Sequence, residues 1–118
     1  MKSGRIEKIN AELQIEIANI INYELKDPRI SGIISVLRVE TDNDLYMANT
    51  FISIYNSNDE KTTFEALQKS SGFVRKLLSK RVKLRAVPII NFKLDKTIDY
   101  SESINSILEK LDIPKDDE

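Results

Sequence analysis

The chain has 118 residues, 41% of them hydrophobic and 31% charged, with a net charge of −1 and neither cysteine nor histidine. That length suits one domain with its own core, and the composition argues against a disordered chain; no apolar run nears the roughly 20 residues a membrane helix needs. Without thiol or imidazole there is no thiolate nucleophile, no base tuned to neutral pH and no ligand set for structural zinc, while the dispersed glycines Gly4, Gly32 and Gly72 do not form a phosphate-cradling loop.

Along the chain, Ile6, Ile9, Leu13, Ile17, Ile20 and Leu25 recur every three or four residues and predict an amphipathic helix over residues 5–25, its apolar stripe turned to a core. Lys26 suits the negative end of that helix, and Asp27-Pro28 ends it because the residue before proline avoids the helical region. Residues 33–41 and 45–55 are rich in β-branched and aromatic side chains around Asp42-Asn43-Asp44 and read as a hairpin. In its second strand Ala48, Thr50, Ile52 and Ile54 share the face expected to receive the helices. Residues 56–60 form a polar loop in which Ser57, Asn58 or Asp59 can cap the next helix.

That helix carries Phe64 and Leu67 inward and meets Ser70-Ser71-Gly72, three residues that favour caps and bends. Beyond the break Val74, Leu77 and Leu78 resume an apolar face to about residue 83. Ile90, Phe92 and Leu94 then alternate with polar residues as a third strand beginning after Pro88. Residues 100–111 predict a short last helix with Ile104, Ile107, Leu108 and Leu111 on one side, and residues 114–118 a frayed acidic tail. The whole is one α+β domain over residues 1–113, two-layered, with a three-stranded sheet and the order α-β-β-α-(kink)-α-β plus the terminal helix.

Charge is unevenly distributed. From Asp99 onward seven acids oppose Lys110 and Lys115, a net of −5, so residues 1–98, with 16 basic and 12 acidic groups, carry +4. A basic body behind an acidic tail points to a polyanionic partner. The basic residues concentrate after the break, where Arg75, Lys76, Lys80, Arg81, Lys83 and Arg85 follow one another with no acid between them. At about 100° per residue, Lys76, Lys80 and Lys83 fall in a sector roughly 60° wide, away from Val74, Leu77 and Leu78. Arg81 falls among the apolar residues, so either its stem snorkels or the helix is ending there. A helix restarted after Gly72 would offer backbone N–H groups to a phosphate, and Ser70 or Ser71 a hydroxyl. Blander readings stand beside this one: a lysine-rich face is ordinarily solvated surface, a Ser-Ser-Gly break can be a packing kink or a cap, and Asp27-Pro28-Arg29 reads first as a turn. Break and lysines falling together on one element favour an RNA-facing surface.

The order of elements is that of the type II KH fold, but the GXXG loop of that fold is absent and Ser-Ser-Gly-Phe-Val-Arg stands in its place. In this the chain resembles bacterial ribosome-binding factor A, in which an interhelical kink with an alanine-x-glycine pattern replaces the loop. The resemblance runs through Arg5-Ile6, the turn from Lys26 through Ile30, Asp44-Leu45 with Ala48, the stretch from Ser71 through Arg75, and Leu84-Arg85 with Val87-Pro88. Ser70 departs from the alanine of the kink, and Thr50 stands where an apolar strand residue is usual. The resemblance implies a monomeric, cytoplasmic, non-enzymatic assembly factor without cofactor or metal. It would bind free 30S subunits and their 16S rRNA late in maturation, with a part in 5′-end processing and in growth in the cold. Expected rRNA contacts are Lys76, Lys80 and Lys83 to phosphates, Arg75 and Arg85 extending the patch, Ser70, Ser71 and Gly72 allowing close approach, and Arg5, Lys8 and Arg29 as secondary contacts. The alternatives are a stand-alone KH-like module that binds single-stranded RNA through exposed aromatics, and an interaction domain whose lysines are merely solvated.

Overall fold

The computed structural model describes residues 2–96. Helix α1 spans Lys2–Tyr23, and the strands β1 (Ile33–Thr41) and β2 (Met47–Tyr55) follow it. Helices α2 (Glu60–Lys69) and α3 (Ser71–Arg81) are separated by Ser70 alone, and β3 (Ile89–Leu94) completes the sheet. This is the expected α-β-β-α-α-β order. The expected helix over residues 100–111 and the tail lie outside the described residues. No helix among the described residues is long and apolar enough to cross a membrane.

Helix α1 follows its apolar period: Ile9, Leu13, Ile17, Ile20 and Ile21 are buried, whereas Ile6 is only half-buried. It ends two residues before the expected position, where the Leu25 amide reaches back five residues to the Ile20 carbonyl at 3.1 Å, sharing it with the helical bond from the Glu24 amide at 2.8 Å. Leu25 still packs against the core from beyond the helix end.

The sheet order is β1-β2-β3, with β1 antiparallel and β3 parallel to β2. Register places Val39 opposite Thr50 and Thr50 beside Phe92, so one face carries Ile34, Val39, Ala48, Ile52, Ile90 and Phe92 into a common core with both helical units. Burying one sheet face against a helix layer gives the two-layer α+β architecture. Thr50, the polar residue on that face, is fully buried and donates its hydroxyl to the Ala48 carbonyl at 3.3 Å, which lets it stand among apolar neighbours. Strand β2 begins at Met47 rather than residue 45 because Asp42 draws the loop closed: its carboxylate accepts the Tyr46 amide at 2.8 Å. The pairing slips between Val36 and Arg38, and Gln14 of α1 donates to the carbonyls of Val36 and Leu37, at 3.0 and 3.3 Å, answering the groups the bulge releases.

Among the three capping candidates Asp59 is the cap, accepting the Thr62 amide at 3.2 Å. Behind it, fully buried Thr63 ties α2 to the turn after α1. Its hydroxyl donates to the Arg29 carbonyl at 3.1 Å, accepts the Ser31 amide at 3.2 Å and meets the Ser57 hydroxyl at 2.8 Å. Gly32 closes that turn at φ +88, where an added Cβ would lie 2.5 Å from the Tyr55 carbonyl oxygen, so only glycine fits.

Candidate nucleic-acid interface

The break between α2 and α3 is a one-residue bend. Ser70 sits at φ −86, ψ −2, its amide bonding back to the carbonyls of Ala66 and Leu67 and its carbonyl accepting the Val74 amide, each at 3.0 Å. The Ser70 hydroxyl donates to the Ala66 carbonyl at 2.9 Å, so it is turned onto α2 rather than toward a ligand, and Ser71 is half-buried. What the bend leaves open is Gly72, which is exposed and whose added Cβ would meet nothing within 4 Å. Glycine here costs about 1 kcal/mol of helix propensity relative to alanine. No packing need among the described residues offsets that cost.

Helix α3 ends at Arg81. Val82 is extended at φ −114, ψ 150, so Lys83 lies beyond the helix and the wheel angle expected for it does not apply. Arg81, the ambiguous residue of the wheel, is the last helical residue and pairs with Glu24, just past the end of α1, at 2.9 Å and with Glu16 of α1 at 3.6 Å. After it the chain is pinned by buried Val82, Val87 and Pro88 and by half-buried Leu84, which leaves Lys83, Arg85 and Ala86 exposed between those anchors. Arg75 locks this loop to α3 by donating Nε–H to the Val87 carbonyl at 2.9 Å.

Three depressions meet at Leu84. The first, about 460 Å³, is lined by Gly72, Arg75, Lys76, Ser79, Leu84, Arg85, Ala86 and Val87. The second, about 550 Å³, brings in α1 through Gly4, Arg5, Lys8, Ile9 and Glu12, facing Lys83 and Leu84. The third joins Arg5, Asp44 and Leu45 to Leu84, Arg85 and Ala86. Together they make one groove carrying six cations, Arg5, Lys8, Arg75, Lys76, Lys83 and Arg85, against two carboxylates, Glu12 and Asp44. None of the six is ion-paired to a described residue, whereas Arg29, Arg38, Arg81 and Lys96 all are. Like charges gathered on a concave wall raise the local positive potential and attract an anion with regularly spaced charges.

The expected residues thus divide. Gly72, Arg75, Lys76, Lys83, Arg85, Arg5 and Lys8 line one groove, and Lys80 lies exposed on α3 outside it. Arg29 stands apart, in the turn after the far end of α1. Its Nη2 lies 2.6 Å and its Nε 3.0 Å from the two Asp27 oxygens, and this hydrogen bonding, with the Arg29 amide also donating to Asp27, holds the Asp27 carboxyl down at about 2. The sequence reading missed Leu84 as the meeting point, the acids Glu12 and Asp44, and Leu45. The last is held at φ +57, a region bulky side chains rarely occupy, with its side chain against the core. The family resemblance marks Asp44-Leu45 and Leu84-Arg85 without giving them a role, and their adjacency to Arg5 is tertiary.

Comparison with known proteins bears on the family and the fold. The family described as ribosome-binding factor A matches residues 5–108. A ribosome-binding factor A of Clostridium novyi is 46% identical over 112 residues, covering 94% of this chain and 93% of that protein. The crystal structure of ribosome-binding factor A from Thermus thermophilus superposes with a TM-score of 0.69 at 22% identity, over 79% of this chain and 98% of that one. Coordinates of the Thermus thermophilus factor, a homology model fitted into a cryo-EM map of a 30S complex, superpose with a TM-score of 0.62 at 22% identity, over 75% of this chain and 92% of that one. Family match and near-full-length identity agree with the fold, and this chain belongs to the ribosome-binding factor A family.

Proposed function

We propose that this chain is a non-enzymatic assembly factor that docks on the free 30S subunit late in its maturation and lays the groove around Leu84 against 16S rRNA. The observation that carries the reading is the set of six cations without carboxylate partners among the described residues, gathered beside a helical glycine whose added Cβ would meet none of those residues. In a groove of this kind Lys76 and Lys83 take phosphates from opposite walls, Arg75 and Arg85 extend the track, and Arg5 and Lys8 meet the same backbone from α1. Lys80 continues the track along α3, and the bend from Ser70 through Gly72 lets main chain approach ribose and phosphate closely. Arg29, already engaged by Asp27, is the weakest member of the set. A relative whose coordinates were fitted into a 30S complex supports the choice of partner. The protein acts as a monomer in the cytoplasm, with a part in 5′-end processing of 16S rRNA and in growth in the cold, and it leaves before translation begins.

Co-sedimentation with 30S subunits across a salt titration tests this. Each phosphate contact contributes about 0.9 to the slope of log affinity against log salt on a duplex and about 0.7 on a single strand, so converting Lys76, Lys80 and Lys83 together to glutamate should flatten the slope by about two units or more and abolish binding at physiological salt. All three are exposed, so urea denaturation should be unchanged. A triple variant that co-sediments like the wild type would refute the assignment.

A further inference from the structure

The groove takes in Arg75 and Lys76 of α3 but leaves out its ring. Phe73 is the third residue of α3 and 46% exposed, while its neighbour Val74 and Leu78 are fully buried. A single exposed apolar side chain is ordinary, and the informative feature is the setting. At about 100° per residue, Phe73 stands roughly 20° from Lys80 and 60° from Lys76 around the helix. Lys69 closes α2 just across the bend. All three lysines are exposed, and none is ion-paired to a described residue. The other strongly exposed aromatics among the described residues stand beside carboxylates. Tyr23, 71% exposed, precedes Glu24, and Tyr46, 64% exposed, sits in the loop of Asp42 and Asp44 with its amide on the Asp42 carboxylate. Of the three rings, only Phe73 is framed by ammonium groups.

An aromatic face bracketed by lysines is the chemistry that holds single-stranded nucleic acid: every base has a π-face to stack, and the lysines take the flanking phosphates. We propose that Phe73 is a base-stacking residue, receiving an unpaired nucleotide of the bound RNA on its ring while Lys69, Lys76 and Lys80 hold the phosphates on either side. This rests on the RNA-binding reading above and narrows it. A duplex presents phosphates to the groove, but only a single strand or an extruded nucleotide presents a base to the ring.

The chain has no tryptophan, so Phe73→Trp in the full chain keeps an aromatic face and adds one fluorophore at the site. It is titrated with a mixed-sequence single-stranded oligoribonucleotide and with the same strand annealed to its complement. Quenching by the single strand and not by the duplex is the expected result; no quenching by the single strand, or equal quenching by both, overturns the proposal. In parallel, Phe73→Ala should weaken 30S binding about 5- to 150-fold. Its salt slope should match the wild type, since a ring displaces no counterions, and Phe73→Trp should restore affinity. If Phe73→Ala binds as the wild type does, the inference falls and the RNA-binding reading stands. A wild-type chain that fails to bind 30S in the same titration removes the underlying reading instead. Lost 30S affinity with no quenching by the single strand would overturn base stacking and assign the ring to a protein contact.

Discussion

The turn joining α1 to β1 and the loop joining α3 to β3 both carry charged side chains, yet they dispose of them in opposite ways. In the turn, Asp27 answers Arg29, the hydroxyls of Ser31, Ser57 and Thr63 answer one another and nearby backbone, and Gly32 sits where only glycine fits. In the loop and the groove around it, six cations have no carboxylate partner among the described residues, and Gly72 borders open space. Groups satisfied inside the chain serve the fold. Charges left without a carboxylate among the described residues, next to a glycine that none of those residues requires, are what a surface kept for an outside partner looks like, because each would be easy to neutralise or replace if folding were the sole demand.

The two glycines give the sharpest way to break that contrast. Gly32→Ala forces an L-residue into the left-handed region and drives its Cβ to 2.5 Å from the Tyr55 carbonyl oxygen. It should cost about 3 kcal/mol or more in urea denaturation. Gly72→Ala meets nothing within 4 Å and removes a poor helix former, so stability should hold or rise by up to about 1 kcal/mol. The same variant should weaken 30S binding, because the new methyl group stands where the proposed docking brings the RNA backbone close. Two alanines with opposite effects on folding, of which the harmless one impairs binding, would establish the division. A Gly72→Ala chain that is more stable and binds unchanged would show that the bend is not a contact.

Much of this was legible from the sequence where local period decides structure. Leu13, Ile17 and Ile20 mark the buried side of α1, the β-branched runs mark the hairpin, and Ser70 marks the bend. Boundaries were displaced wherever a side chain or a cap overrides propensity: Asp42 captures the Tyr46 amide and delays β2, and Val82 turns extended and takes Lys83 off the helix. Thr63 was unreadable for another reason, since hydropathy assigns a threonine to the surface unless its hydrogen-bond partners, 32 and 34 residues away in sequence, are known. The groove was half legible. Its α3 wall follows from the run of basic residues, but the meeting of Arg5 and Lys8 with Lys83 across Leu84 is a contact between distant parts of the chain that no local pattern encodes.

The smallest expected effect tests whether Arg29 belongs to the turn or to the groove's set. Hydrogen bonds from the Arg29 side chain, then from its amide, lower the Asp27 pKa from 3.8 to about 2. A carboxylate whose folded pKa is depressed stabilises the fold at pH values above its unfolded pKa, and that contribution is lost as pH falls from about 4 toward about 2. Because the pair is solvent-exposed and screened, the effect on denaturation midpoints should be slight, visible as a gap between wild type and Asp27→Asn that is present at about pH 5, narrows below about pH 4 and closes only below about pH 2. Carboxyl NMR reads the same event directly: the Asp27 midpoint should lie near 2 in the wild type and return toward 3.8 in Arg29→Ala. An Asp27 midpoint already at its ordinary value in the wild type would mean that the guanidinium is free in solution. Arg29 would then join the uncommitted cations, and the boundary between a self-satisfied turn and an open groove would have to be redrawn to include it.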